Sequence, residues 1–454
     1  MTERKGLSRR AVAAGVTGPG NAAAASRGPY ATHGSGRAAS VSYEPVPVGR
    51  GGGPSGTDRV HVLKVGPREA RTVLVLVPGG FGAAGDFRLL ARDLVEAVPE
   101  VQVWAFDRRE ENLVDRAGFD APDPAAYYLD GRYRSQDPAA SRYVAGWGLG
   151  VAVEDLRAVV RTARQGGRRR VVLGGHSWGA TTALAYAAWD FRGDPGCRDL
   201  AGLALIDGGV LGAFGGGRPN SPEDVRKRLA AIDGGAVFDM SMAAVKLGDR
   251  AESTQIWYQL AGWYAHTDPE GRSVLQPRLP DFLRTPYPIT NAALLGTLVD
   301  QGFGWPNDIS VHSGHLAGTG DVRDWVDDGI TPISRVAAAY AGPRPTVWEW
   351  YWPARLSLDL DVTDSYTDNE LARSLGLALR HTAELNVPLY AFETSAYGGA
   401  ALAAAREVVA GSRIPYGVYD SDESMNHLDP LFATTAHNSA TRTLAAFLTR
   451  FRGE

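Results

Sequence analysis

Ser177 stands between two glycines, Gly175 and Gly179, in the run Val171-Val172-Leu173-Gly174-Gly175-His176-Ser177-Trp178-Gly179-Ala180. A hydroxyl so placed can attack an electrophilic carbon. The β-branched residues before it read as a strand and Ala180 to Ala188 as a helix, so the serine falls on a strand-to-helix corner. Such a corner forces strained φ/ψ on the serine and leaves room only for small residues two positions to either side, which accounts for both glycines. It also aims neighbouring backbone N–H groups at the oxygen of an incoming carbonyl. The bland alternative is a glycine-rich turn with an incidental serine; the strand before and the helix after favour the nucleophile.

An unassisted hydroxyl is a poor nucleophile at neutral pH, so a base must come within reach. Among nine histidines, His427 lies in Ser424-Met425-Asn426-His427-Leu428-Asp429-Pro430-Leu431, on an expected loop between the last strand and the last helix, where it can swing over the serine. His437, at the start of that helix, is the lesser candidate. His176 is read as packing and pointing elsewhere, His33 belongs to the N-terminal tail, His61 to an outer strand and His381 to a helix surface. His312 and His315 form an H-x-x-H, but no third ligand follows at a metal-binding spacing, and no metal is expected.

Gly80-Phe81-Gly82-Ala83-Ala84-Gly85 supports two chemistries. As a G-x-G-x-x-G between a strand and a helix, with Asp107 roughly twenty residues on, it matches a dinucleotide fingerprint. Against that, Pro78-Gly79 separates the strand from the first motif glycine, another strand precedes this one, and the corner serine is left without a purpose. The alternative makes Pro78 to Gly82 the loop whose Gly80 or Phe81 N–H joins that of Trp178 in holding an oxyanion. A purely structural turn is the third reading.

The elements that must position these groups follow from apolar patterning. Val60 to Val65, Arg71 to Val77 and Val101 to Phe106 read as strands, with a helix over Phe87 to Val98 between the last two. A polar excursion over 108–148 leads to a helix, Val151 to Arg164, and then to the serine's strand. Leu203 to Ile206 is the next strand; after a long irregular region come a strand Val387 to Phe392, a helix Leu402 to Ala410, a strand Tyr416 to Tyr419 and a helix Ala440 to Phe451. Strands alternating with helices predict a parallel sheet.

Composition bounds the function. The chain has 454 residues, 44% hydrophobic and 22% charged, with a net charge of −4, so it can bury a core and shows no basic footprint for nucleic acid. No apolar run approaches the ~18 residues of a membrane span. One cysteine, Cys197, allows neither an internal disulfide nor a cysteine metal site. Residues 1–42 lack periodicity and read as a disordered tail or an export signal, because Ser8-Arg9-Arg10 before an Ala/Val stretch resembles a twin-arginine motif interrupted by Gly18-Pro19-Gly20. With export the protein leaves the cytoplasm; with a plain tail it stays.

Together, Gly175-His176-Ser177-Trp178-Gly179, the Pro78 to Gly82 loop and His427 resemble the nucleophile elbow, oxyanion loop and base of the α/β-hydrolase superfamily, with Pro in place of the His of its His-Gly-type loop. The resemblance covers about 59–209 and 386–452. It implies an α/β fold with a mostly parallel central sheet flanked by helices, and a Ser-His-acid mechanism without a cofactor. The Ser-Trp-Gly-Ala turn is similar to that of prolyl aminopeptidases. In the fold's commonest form the acid follows the strand Val387 to Phe392, but Thr394 to Gly399 contains none, leaving Glu393 at the strand's own end. A variant of the fold puts the acid one strand earlier, where Asp207 stands before Gly208 and Gly209. Asp207 leads, Glu393 is the alternative, and a turn-capping aspartate is the bland reading.

The core thus comprises 43–210 and 387–454, and 211–386 is expected to be a large, mainly helical cap inserted between two core strands. Seven of the eleven tryptophans lie in it: Trp257, Trp263, Trp305, Trp325, Trp348, Trp350 and Trp352. Most must fill the cap's own core, yet Val347-Trp348-Glu349-Trp350-Tyr351-Trp352 puts aromatics on both faces of an extended segment, and Trp348, Trp350 and Trp352 are expected in the substrate cleft. The expected partner is a small apolar ester or lactone; the sequence does not set the oligomeric state. An amidase or prolyl-type aminopeptidase, in which Glu349 could face a substrate amine, is the nearest alternative, ahead of a dinucleotide-dependent oxidoreductase and a non-catalytic binding protein.

Overall fold

The apolar runs become strands of one eight-stranded sheet in this computed structural model, which describes residues 40–216, 220–303, 310–342 and 344–451. The strands are β1 (Val41–Pro47), β2 (Arg59–Val65), β3 (Thr72–Val77), β4 (Val101–Asp107), β5 (Arg170–His176), β6 (Gly202–Ile206), the separate hairpin β7 (Gly314–Ala317) and β8 (Asp324–Asp327), then β9 (Leu389–Thr394) and β10 (Gly417–Asp422). Across the sheet the order is β1-β2-β4-β3-β5-β6-β9-β10. Neighbours from β4 to β10 are parallel, whereas β2 runs antiparallel to both β1 and β4. The expected twin-arginine segment lies outside the described residues.

Burial on both faces explains why the central strands carry no polar alternation. Val73, Val75 and Val77 of β3 pack with Val153, Leu156 and Leu184, from helices Leu149–Arg164 and Trp178–Ala188. Leu74 and Leu76 face the other way, toward Leu90, Leu94 and Leu444, from helices Arg88–Ala97 and Ser439–Leu448. β1 was not expected, because its V-S-Y-E-P-V-P lacks a clean apolar pattern; it forms an edge strand, where proline's missing N–H is tolerated. β9 extends through Glu393 and Thr394, beyond the expected end at Phe392, because β10 pairs with it there, Ser421 with Glu393 and Asp422 with Thr394.

The segment between β6 and β9 is mainly helical. Helices Ser253–Thr267, Asn291–Val299 and Ile333–Tyr340 share a buried apolar cluster through Leu260, Leu294 and Val336. Helix Ala354–Thr363 instead packs with Leu156 and Leu184 through Leu358 and Leu360, so the last part of the insertion returns to a face of the core sheet.

Register places the chemistry. Val77 pairs with Gly175, His176 with Ile206 and Ile206 with Phe392. Pro78 to Gly82, Ser177 and Asp207 therefore emerge side by side at the C-terminal edge of the parallel strands, the edge at which open α/β sheets bind ligands.

Candidate active site

Ser177 adopts φ 54° and ψ −129° between β5 and the helix Trp178–Ala188, a conformation costly for any residue but glycine. Its neighbours show why the sequence is small here. A Cβ on Gly175 would strike the Gly179 backbone, and one on Gly179 would strike the carbonyls of Val77 and Pro78. A Cβ on Gly208 would strike the backbone of Ser177 itself.

Asp207 follows β6 with φ 48°, and its Oδ2 lies 2.6 Å from His427 Nδ1. A carboxylate only accepts, so Nδ1 carries the proton and Nε2 keeps its lone pair free. The Thr394 N–H and hydroxyl each donate to Asp207 at 2.7 Å. Burial alone would raise the Asp207 carboxyl, but the hydrogen bonds from His427 and Thr394 outweigh it and hold the group below the usual carboxylate range. The His427 loop is itself tied down by a residue that sequence reasoning passed over. Buried Asp429 accepts from Asn426 N–H and the Thr331 hydroxyl, both at 2.6 Å, and from His312 N–H at 3.0 Å.

Glu393 is not brought to His427. As part of β9 its side chain turns to the start of helix Ala400–Ala410, where it accepts from the N–H groups of Gly399 and of Leu402, the latter at 2.8 Å. It is an N-terminal helix acid, favoured there by the orphan N–H groups and the helix dipole.

His176 corrects another expectation. It does not point elsewhere: its ring packs, tilted, against that of His427 at 4.4 Å between centroids, and its Nε2 lies 2.8 Å from the His427 carbonyl oxygen. Burial, with His427 nearby, pushes its pKa down to about 3. No hydrogen bond joins Ser177 Oγ to His427, although both face the same cavity; such bonds often tighten only when substrate is bound. His437 instead bonds Thr434 on the surface.

The glycine loop is braced from behind. Arg108 donates to the Pro78 carbonyl at 2.8 Å and pairs with Glu349 at 3.2 Å, while Glu349 N–H bonds the Phe81 carbonyl at 2.8 Å. Asp107, the acid of the dinucleotide fingerprint, accepts from Ala84 N–H and Tyr43 hydroxyl. A side chain on Gly80 would lie 2.8 Å from the Trp178 ring, and one on Gly85 would strike the Thr346 carbonyl, so protein atoms fill the space in which a pyrophosphate would be cradled. Among the described residues the N–H groups of Gly80, Phe81 and Trp178 donate to nothing in the protein.

Ser177, His427, His176 and this loop line a cavity of about 680 Å³ whose other walls include Trp178, Tyr258, Leu298, Val299, Tyr340 and Trp348. No protein-family model and no curated protein matches the sequence. Among solved structures, a Sulfolobus solfataricus protein described only as a candidate lipase superposes with a TM-score of 0.51 at 17% identity, over 90% of this chain and 94% of that one. An epoxide hydrolase from an endophytic Streptomyces (15% identity, 92% and 97% covered) and a monoglyceride lipase variant from Saccharomyces cerevisiae (12%, 93% and 99%) each give 0.44. The chain has the α/β-hydrolase fold. At these identities the likeness concerns the fold and not the reaction.

Within this fold, only one of the three expected cleft tryptophans reaches the cavity. Trp348 lines it. Trp350 is fully buried against Tyr128 and Tyr133 with its indole N–H on Gln259, and Trp352 is buried between Phe81, Trp178 and Arg108 with its N–H on Ser357. The segment is held by single bridges, Gly82 to Trp348 and Phe238 to Pro353, and turns its alternate rings into the two cores rather than the cleft. Trp305 lies outside the described residues. Glu349, buried against Arg108, is not among the described residues that line this cavity. Among the described residues, His176, Asp207 and His427 are the one group close enough to share an ion, but Asp207 and His427 Nδ1 are engaged with each other and His176 Nε2 with the His427 carbonyl oxygen. His312 and His315 take separate partners, Ser424 and Asp328.

Proposed function

We propose that this α/β-hydrolase is a serine hydrolase acting on a carboxylic ester or lactone of an apolar, medium-to-large substrate. The observation that carries the reading is the 2.6 Å contact of Asp207 with His427 Nδ1, beside a strained serine that opens on the same cavity as His427 Nε2. Ser177 Oγ attacks the carbonyl carbon as His427 takes its proton. The N–H of Trp178 and that of Gly80 or Phe81 hold the oxyanion, and His427 returns the proton to the leaving alcohol. Water then releases the acyl group by the same steps, with Asp207 keeping the imidazole in one tautomer. Within the cap, read as residues 211–386, Trp348 contacts the substrate. The cavity volume suits a ligand of drug size, and its walls are mostly carbon.

Labelling by a fluorophosphonate, lost in Ser177→Ala, tests the nucleophile. A series of p-nitrophenyl esters of rising chain length, run beside amino-acid anilides, tests the substrate class. Longer acyl groups are expected to outpace acetate and anilides to be slow. A strong acetate preference would remove the apolar reading, and preferred anilides would make the protein an amidase or aminopeptidase.

A further inference from the structure

Asp86 follows the glycine loop, in the turn Ala84–Phe87, and its side chain lines the cavity. Its carboxylate sits over Gly82, where any Cβ would strike it. Among the described residues it has no ion-pair partner; the guanidinium whose charge reaches it, that of Arg108, is committed to Glu349 and Pro78. Three rings share this end of the cavity. Trp348 stacks on Tyr258 at 5.4 Å and meets Tyr340 edge-on at 5.6 Å, and Tyr340 lies close enough to Asp86 to feel its charge.

The rest of the lining has the same sign. Asp361 and Asp364 border the cavity, and none of its described lining residues is a lysine or arginine. Asp361 is paired with Arg228 at 2.7 Å, whereas Asp364 and Asp86 are each met by a backbone N–H, from Gly212 and Ala83, and neither has a counter-charge among the described residues; of the two, Asp86 is the one beside the aromatic rings. Burial and the neighbouring Asp107 raise the Asp86 carboxyl well above the usual range; ionised, it calls for a cation that the described residues do not supply. Aromatic faces beside a carboxylate attract an organic cation. A primary ammonium is best held by several hydrogen-bond acceptors, whereas an alkylated ammonium needs only the carboxylate's charge and the ring faces.

We infer that this end of the cavity binds an alkylated ammonium group carried by the substrate, with Asp86 as counter-ion and Tyr258, Tyr340 and Trp348 as walls. That the substrate is an ester rests on the serine-hydrolase reading; the cation site does not. The test uses isosteric pairs on the full-length protein: choline butyrate against 3,3-dimethylbutyl butyrate, and p-nitrophenyl 4-(trimethylammonio)butyrate against p-nitrophenyl 5,5-dimethylhexanoate. The cationic member of one pair should be favoured by about tenfold in kcat/KM, and Asp86→Asn should bring that ratio close to one. Trp348→Leu, which removes a π face but keeps apolar volume, should lower it as well, a check should Asp86→Asn fold poorly. Equal or lower rates for the cationic member of both pairs overturn the inference, as does a ratio that neither variant changes. If no ester is turned over and Ser177 is not labelled, the hydrolase reading fails by itself. Calorimetry with benzyltrimethylammonium then decides the site: millimolar or tighter binding, weakened by Asp86→Asn, upholds it, and no binding ends it.

Discussion

His176 Nε2 lies 2.8 Å from the carbonyl oxygen of His427, so the residue before the candidate nucleophile holds the backbone of the candidate base. A carbonyl can only accept, which fixes the His176 proton on Nε2. His176→Gln carries an amide nitrogen at the same reach and should keep kcat within about threefold, whereas His176→Ala should lower it by about 10- to 100-fold with little change in KM, the cost of one buried hydrogen bond. Steady-state kinetics on a p-nitrophenyl ester make the comparison. Equal loss in both variants would show that ring packing, not the hydrogen bond, is what matters.

The same histidine sets a pH dependence of stability. An unfolded histidine titrates near ~6.5, and native His176 at about 3. Between those values the unfolded chain binds one more proton, so stability is complete above the upper limit and falls as pH drops, by ~1.4 kcal/mol per unit. Urea unfolding at several pH values in this window should show a slope shallower by one proton in His176→Gln than in wild type. Parallel curves would mean that His176 protonates in the folded state.

Asp207→Asn keeps the shape of the acid but no longer selects the tautomer with the proton on Nδ1, and should reduce kcat by up to ~10⁴ while the fold survives. Glu393→Gln touches a helix start rather than the histidine, so its effect should be on melting temperature, with kcat nearly intact. The opposite pattern would move the orienting role to Glu393.

How far these groups could be read from sequence depends on whether their partners are local. Ser177 was legible because its constraint is local: strand, glycines and helix lie within a few residues. Asp207 led Glu393 by its place at a strand tip, but what separates them in space is the extension of β9 through Glu393, which depends on pairing with β10 and leaves no trace in the residues near Glu393. Asp429 and His176 were missed or misread for a similar reason. Their partners, Thr331 and the His427 backbone, are distant in sequence, and nothing near them marks the contact. The tryptophan-rich run was read as carrying aromatics on both faces of an extended segment, but nothing near it could say that Trp350 and Trp352 enter closed cores.

That run gives a prediction by contrast. Trp348 lines the cavity, so Trp348→Ala should raise KM for long acyl esters more than for acetate. Trp350 and Trp352 are fully buried, and replacing either by alanine should cost about 3–5 kcal/mol of stability. Trp350, farther from the loop, should leave the chain-length preference unchanged. A shifted preference in Trp350→Ala would place it in contact with substrate after all.

The last prediction concerns the brace behind the glycine loop. Arg108 and Glu349 form a buried pair at 3.2 Å, and Arg108 alone also reaches the Pro78 carbonyl. Removing one charge strands the other, so Glu349→Gln should destabilise the protein by about 3–5 kcal/mol. Replacing both, as Arg108→Met with Glu349→Leu, removes the stranded charge and should recover most of that stability. It does not restore a donor to Pro78, where the loop that carries the Gly80 and Phe81 N–H groups begins. The double variant should therefore unfold near the wild-type urea midpoint yet show kcat lower by about tenfold, the cost of a misplaced oxyanion donor being somewhat below that of a deleted one. Wild-type kcat in the double variant would show that the pair serves stability alone.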